Sequence, residues 1–217
     1  IWSSIVALSK LAANSFDLTD NYALTGTVTG ATSTQKLFLI KNLDASSSST
    51  LSFVDGSDSV DLDNTYKTYY FKFINIHPAS DNVEFQWNGS TDTGSNYNVT
   101  KTTNIFNANH FENDSAASVS YDSGADIAQG TGFSRISRNL GNGGDESTSG
   151  ELWMFNPSDT TFVTQFFSRT SGYDRNNVLY DLYSAGYFNT TSAIDAVQFK
   201  MASGNIDAGR IALYGIK

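Results

Sequence analysis

Carboxylates are the most abundant chemistry-bearing side chains of this sequence, with 22 Asp and Glu against 13 Lys and Arg. Two carboxyls facing each other across a cleft, roughly 5–9.5 Å apart, cleave glycosidic bonds. Clustered carboxylate and carbonyl oxygens hold calcium. The densest cluster is Asp55-Gly56-Ser57-Asp58-Ser59-Val60-Asp61-Leu62-Asp63. It lacks the ligand spacing of the twelve-residue calcium loop. Its Asp, Ser and Gly content reads more simply as Asx turns joining two strands. The remaining acids stand mostly beside Ser, Gly and Asn, where a solvated turn role is the plainer reading.

The other reactive constellations are incomplete. His110-Phe111-Glu112 has the His-x-Glu element of zinc deaminases, but the paired cysteines that chemistry needs are absent, because the chain holds no cysteine. The same absence excludes disulfides, thiolate metal sites and cysteine nucleophiles. His77 precedes Pro78, a pairing that reads as a strand end rather than a general base. No Gly-x-Ser-x-Gly elbow occurs. Gly130-Thr131-Gly132 and Gly141-Asn142-Gly143-Gly144 lack the lysine of a phosphate loop and read as flexible turns. No catalytic residue, metal ligand set or cofactor site is therefore expected.

Aromatic rings offer a different chemistry, since they stack on the apolar faces of sugars. Trp87, Trp153 and Tyr97 are the candidates for such a platform. Trp87 alternates in phase with Val83 and Phe85, which places it in a core. Trp153 lies inside the apolar run Leu152-Trp153-Met154-Phe155 and gets the same assignment. Asn-x-Ser/Thr sequons at Asn88, Asn98, Asn113 and Asn189 follow from a composition rich in those residues.

The elements that would carry these side chains are strands. Apolar residues make up 39% and aromatics 13%, so the core must lean on large rings that each bury much area. Ser, Thr, Asn and Asp crowd the segments between apolar runs, where they favour turns. Strands are expected at Leu37 to Ile40, Leu51 to Val54, Tyr69 to Ile76, Val83 to Trp87, Tyr97 to Thr103, Leu152 to Phe155, Thr161 to Ser168, Val178 to Phe188, Val197 to Met201 and Arg210 to Ile216. The apolar phase changes between Phe73 and Ile74, which predicts a bulge or a strand buried on both faces. Tyr97 to Thr103 reads as the return strand of the Trp87 hairpin. Residues 107–150 are the least regular and predict short strands and loops. Gly204-Asn205 and Gly209 read as the connection to the last strand.

No amphipathic helix and no repeat of 20–50 residues is visible. The pattern predicts an all-β fold, an antiparallel β-sandwich of jelly-roll-like form. Residues 37–217 are assigned to the sandwich, and residues 1–36 to an N-terminal arm or extended segment. The net charge of −9, with no basic cluster, argues against nucleic acid and anionic membranes as partners. No apolar run reaches the ~20 residues of a spanning helix.

Phe71-Lys72-Phe73-Ile74-Asn75-Ile76-His77-Pro78-Ala79, followed by Val83-Glu84-Phe85-Gln86-Trp87, resembles a family of virion proteins of marine bacteriophages. So do Gly94-Ser95-Asn96-Tyr97-Asn98-Val99-Thr100 and the closing stretch from Gly186 through Asp195 to Gly209 and Leu213-Tyr214-Gly215. The resemblance covers roughly residues 65–217. It implies a virion structural or tail-fibre-like protein and brings no catalytic residues with it. The short chain favours a capsid decoration (cement) protein over a fibre, and the lack of cysteine suits assembly in a bacterial cytoplasm. Expected partners are other virion proteins, major capsid or tail, and further copies of the chain in a symmetric oligomer, with a trimer as the specific expectation. The alternative is a tail-fibre or head-fibre module that binds a host surface glycan. A polysaccharide-degrading enzyme ranks below both.

Overall fold

The computed structural model describes residues 36–217. The expected N-terminal arm, apart from Lys36, lies outside the described residues. Twelve strands follow in order: β1 (Leu37–Asp44), β2 (Leu51–Val54), β3 (Thr68–Pro78), β4 (Phe85–Ser90), β5 (Lys101–Phe111), β6 (Ala117–Tyr121), β7 (Ser134–Arg135), β8 (Thr148–Phe155), β9 (Gln165–Asp174), β10 (Val178–Phe188), β11 (Ala196–Met201) and β12 (Ile206–Ile216). Eight form one sheet in the order β1-β12-β3-β8-β9-β10-β5-β6, and four form a second, β2-β11-β4-β7. Every pairing is antiparallel. The two sheets pack together as an all-β sandwich, the expected class. The strand order supports a sandwich and not specifically a jelly roll, which divides eight strands between two sheets.

Alternation builds the core. Phe71 and Phe73 on β3, Leu152 and Met154 on β8, and Ile211 and Leu213 on β12 turn inward and are buried. Phe53, Phe85, Trp87, Val197 and Phe199 meet them from the smaller sheet. Phe199 is the hub: its ring lies 5.3–6.2 Å from those of Phe53, Phe71, Phe73 and Phe85, and 6.5 Å from Trp87. Ring pairs of this kind, stacked, tilted or edge-on, add ~0.5–1.5 kcal/mol each beyond their buried area. The sequence therefore placed Trp87 correctly.

The phase change in β3 is a bulge. The register with β8 shifts between Phe73 and Ile76, and that with β12 shifts across Ala208. Asn75 takes φ 49° and Gly209 φ 113°, and a Cβ at Gly209 would lie 2.5 Å from the Asn75 carbonyl. Only glycine fits there. Gly209 thus lies within β12 rather than in the connection before it.

Two other boundaries differ from the sequence expectation. Residues 97–100 are loop, and the following strand, β5, belongs to the larger sheet, between β10 and β6. The strand expected over Thr161 to Ser168 starts at Gln165 and runs on to Asp174. Its inward positions include Ser168 and Thr170, buried polar groups that do not look like core in a sequence. Thr170 Oγ1 donates to the Ile136 carbonyl, which satisfies its hydroxyl.

Lys101 is a polar staple between the sheets. Its side chain is fully buried, and Nζ donates to Asn88 Oδ1 at 2.8 Å and to the Gly132 carbonyl. Asn88 Nδ2 donates in turn to the carbonyls of Tyr97 and Thr131. Gly130 exchanges backbone hydrogen bonds with Lys101 at 2.9 and 3.1 Å. The Gly130–Gly132 turn is thus pinned rather than flexible. Burial among neutral partners lowers the Lys101 ammonium to about 7.

Candidate functional site

The acidic loop spends its oxygens on its own backbone. Asp55 Oδ1 accepts the Leu62 N–H at 2.7 Å, Asp63 Oδ1 accepts that of Thr65 at 2.8 Å, and Asp58 pairs with Lys41. Among the described residues no three His, Cys, Asp or Glu side chains gather as a metal site. His77 Nδ1 lies 2.6 Å from the Glu146 carbonyl at the end of β3, and His110 faces Asp114 in an exposed hairpin turn. The Asn88 sequon is buried inside the staple, whereas Asn98, Asn113 and Asn189 are exposed.

The outward face of the larger sheet is the unusual surface. On β3, β8, β9 and β12 some of the residues between the inward ones are aromatic too: Tyr70, Trp153, Phe155, Phe167 and Tyr214. Cross-strand register aligns Tyr214, Tyr70, Trp153 and Phe167 in one row. Successive ring centroids lie 5.8, 4.6 and 6.0 Å apart. Trp153 therefore stands on this outer face, half-buried between Tyr70 and Phe167. That corrects its assignment to the core. Tyr97 lies in the loop before β5, so Trp87, Trp153 and Tyr97 do not form a common platform.

The row stops at β10, where Ala185 pairs with both Phe167 and Asn104. A methyl group stands where a ring would continue the row. The result is a groove of about 600 Å³ walled by Phe155, Phe167, Tyr187, Tyr121 and the Asp126–Ala128 segment. Volumes of this order suit small ligands. Its polar side chains are Asn104, Gln165, Asp126, Thr102, Thr103 and the tyrosine phenols, and no Lys or Arg lines it. Tyr121 donates to Asp126 Oδ2 at 2.7 Å, and that hydrogen bond raises the phenol above its ordinary value.

A parallel row is charged. Register aligns Lys72, Glu151, Arg169, Tyr183, Phe106 and Tyr121 across six strands. Arg169 makes a two-pronged bond to Asp181, at 3.0 and 2.7 Å, and lies 4.9 Å over the Tyr183 ring. Tyr183 stacks on Phe106 at 4.8 Å. The bond to Asp181 raises Arg169 above its usual value. Burial, together with Glu151, pushes the Tyr70 phenol up to about 12. Glu151 and Asp181 share a depression of about 410 Å³, but the Arg169 guanidinium occupies Asp181.

Sequence reasoning named one member of this face, Trp153, and misplaced it. The missed signal was the unbroken apolar run. Tyr69-Tyr70-Phe71 and Leu152-Trp153-Met154-Phe155 have no polar partner phase, which marks strands apolar on both sides. No protein-family model matches this chain, and no curated protein or solved structure matches it either.

Proposed function

We propose that the chain is a structural protein of a bacteriophage virion, of the capsid-decoration kind, that attaches through the outer face of its eight-stranded sheet. The observation carrying this reading is the exposed apolar surface on that face. Phe106, Phe167, Leu39 and Tyr121 are 41–56% exposed there. Contiguous apolar patches mark interaction sites on soluble proteins. The resemblance of residues 65–217 to virion proteins supports the same assignment. In this reading the chain makes and breaks no covalent bond. Its test is immunogold electron microscopy of purified particles, with peptide mass spectrometry of the same sample. The expected result is gold on the particle surface and peptides from the chain. Particles free of the chain would overturn it.

The groove over Ala185 favours a second reading, a module that binds neutral glycans. Aromatic walls suit the apolar face of a sugar, and the side-chain amides of Asn104 and Gln165 suit its hydroxyls. A groove without Lys or Arg has no reason to select an anion. A neutral-glycan array probed with the wild-type chain and Ala185→Trp tests this. Binding lost on filling the groove supports it, and an array without hits excludes it.

A further inference from the structure

Among the described residues the larger sheet ends in two unequal edges. At β1 the edge is interrupted by a register shift between Leu39 and Lys41 and carries charge. Lys41 pairs with Asp58, and Asp44 takes Arg210 in a two-pronged bond of 2.6 and 2.9 Å. Bulges and charges are the usual devices that keep one sheet edge from pairing with another. At the other edge, β6 reads Ala117-Ser118-Val119-Ser120-Tyr121, with no charge, no proline and no register break. All five residues are exposed, Val119 at 76% and Tyr121 at 56%.

Flanking hydrogen bonds fix which backbone groups of β6 are turned outward. Phe111 N–H donates to the Ala116 carbonyl at 3.0 Å, and Asp122 N–H donates to that of Ile105 at 2.9 Å. Hydrogen-bonded positions alternate along an antiparallel ladder. Ser118 and Ser120 therefore bond to β5, and Ala117, Val119 and Tyr121 turn their N–H and C=O groups to the open side. Asp122, at the end of the strand, is engaged by Arg135 and Arg138 at 2.7 and 3.2 Å.

We propose that β6 is the seat of a two-fold dimer, in which it pairs antiparallel with β6 of a second copy of this chain. The pairing centres on Val119. Val119 stands opposite its own counterpart and Ala117 opposite Tyr121, so no charge within the strand meets another. The outward groups of three residues on each strand complete about six hydrogen bonds. The pattern is self-complementary, as a two-fold interface requires. A head-to-tail ring would have to pair β6 with the charged, interrupted β1 edge. In this proposal the assembly is a two-fold pair, where the sequence reading expected a trimer. Val119 and Tyr121 lie on the same side as Phe106, so the dimer joins two outer faces into one continuous aromatic surface. This proposal does not depend on the virion reading.

Single cysteines test the register, because the chain has none of its own. At the two-fold centre the paired Cα atoms stand about 5.5 Å apart, within reach of a disulfide. The full chain carrying Val119→Cys should oxidise to a covalent dimer, and Ser118→Cys, offset from the axis, should not. Light scattering across a dilution series should show a wild-type dimer and a Val119→Lys dimer weakened by about tenfold or more. Equal cross-linking of the two cysteine variants would overturn the proposal, as would none in either. A wild-type monomer at every concentration, or a dimer indifferent to Val119→Lys, would overturn it too. Circular dichroism of each variant establishes that the fold is intact.

Discussion

Two faces of one sheet both carry aromatic rings, and only one of them is covered. Inward from β3 and β8 come Phe71, Phe73, Leu152 and Met154, all at most 1% exposed. Outward from the same strands come Tyr70, Trp153 and Phe155. Ring spacings match as well, 5.3 Å for Phe73 to Phe199 inside and 4.6 Å for Tyr70 to Trp153 outside. The difference is the cover. The four-stranded sheet closes the inner face, and nothing among the described residues closes the outer one. Rings inside hold the fold; rings outside hold one another in place, which under the proposed attachment spares the cost of ordering them.

Substitution separates the two faces. Phe199→Ala, at the hub of the inner rings, should cost about 3–5 kcal/mol in urea unfolding, because it opens a cavity that five surrounding rings cannot all close. A loss under about 1 kcal/mol would show that the inner face is loosely packed and blur the contrast.

Lys101 sharpens the picture of the interior. Its folded pKa is about 7 against an ordinary 10.5. Between those values the unfolded chain binds more protons than the folded one, so stability rises with pH through that window. The slope for one such group reaches at most about 1.4 kcal/mol per pH unit. Raised phenols such as Tyr70 reverse the trend only above pH 10, where unfolded tyrosines ionise first. Urea midpoints measured from pH 7 to 9 should climb for the wild type and flatten for Lys101→Met. Parallel curves would mean that the buried ammonium is not destabilised.

The smallest effect on stability belongs to the outer face. Phe167→Ser loses the ring contacts with Trp153 and Phe155 on an exposed face, and should shift unfolding by less than about 1 kcal/mol. A loss comparable to that of Phe199→Ala would make Phe167 a structural residue and erase the distinction between the faces.

The sequence was legible wherever one face is buried and the other wet. Val83 to Trp87 and Val197 to Met201 alternate in sequence, and Trp87 and Phe199 fell where alternation put them. β6 was hidden within the irregular stretch because both of its faces are exposed, so it carries no burial rhythm. β9 was misplaced because its inward Ser168 and Thr170 look like loop residues. The outer aromatic face went unread for the opposite reason. An apolar run such as Leu152 to Phe155 tells of two apolar faces but not of which one the fold leaves uncovered. That depends on a four-stranded sheet assembled from β2, β4, β7 and β11, which are far apart in sequence.

The central claim is that this chain binds through the outer face of its larger sheet. The direct measurement is capture of purified chain by particles stripped of it, comparing Phe167→Glu with Gln198→Glu on the outward side of β11. Both substitutions add one negative charge to a strand already facing away from the core. The account predicts that Phe167→Glu is released and Gln198→Glu is retained. Retention of Phe167→Glu with release of Gln198→Glu would contradict it.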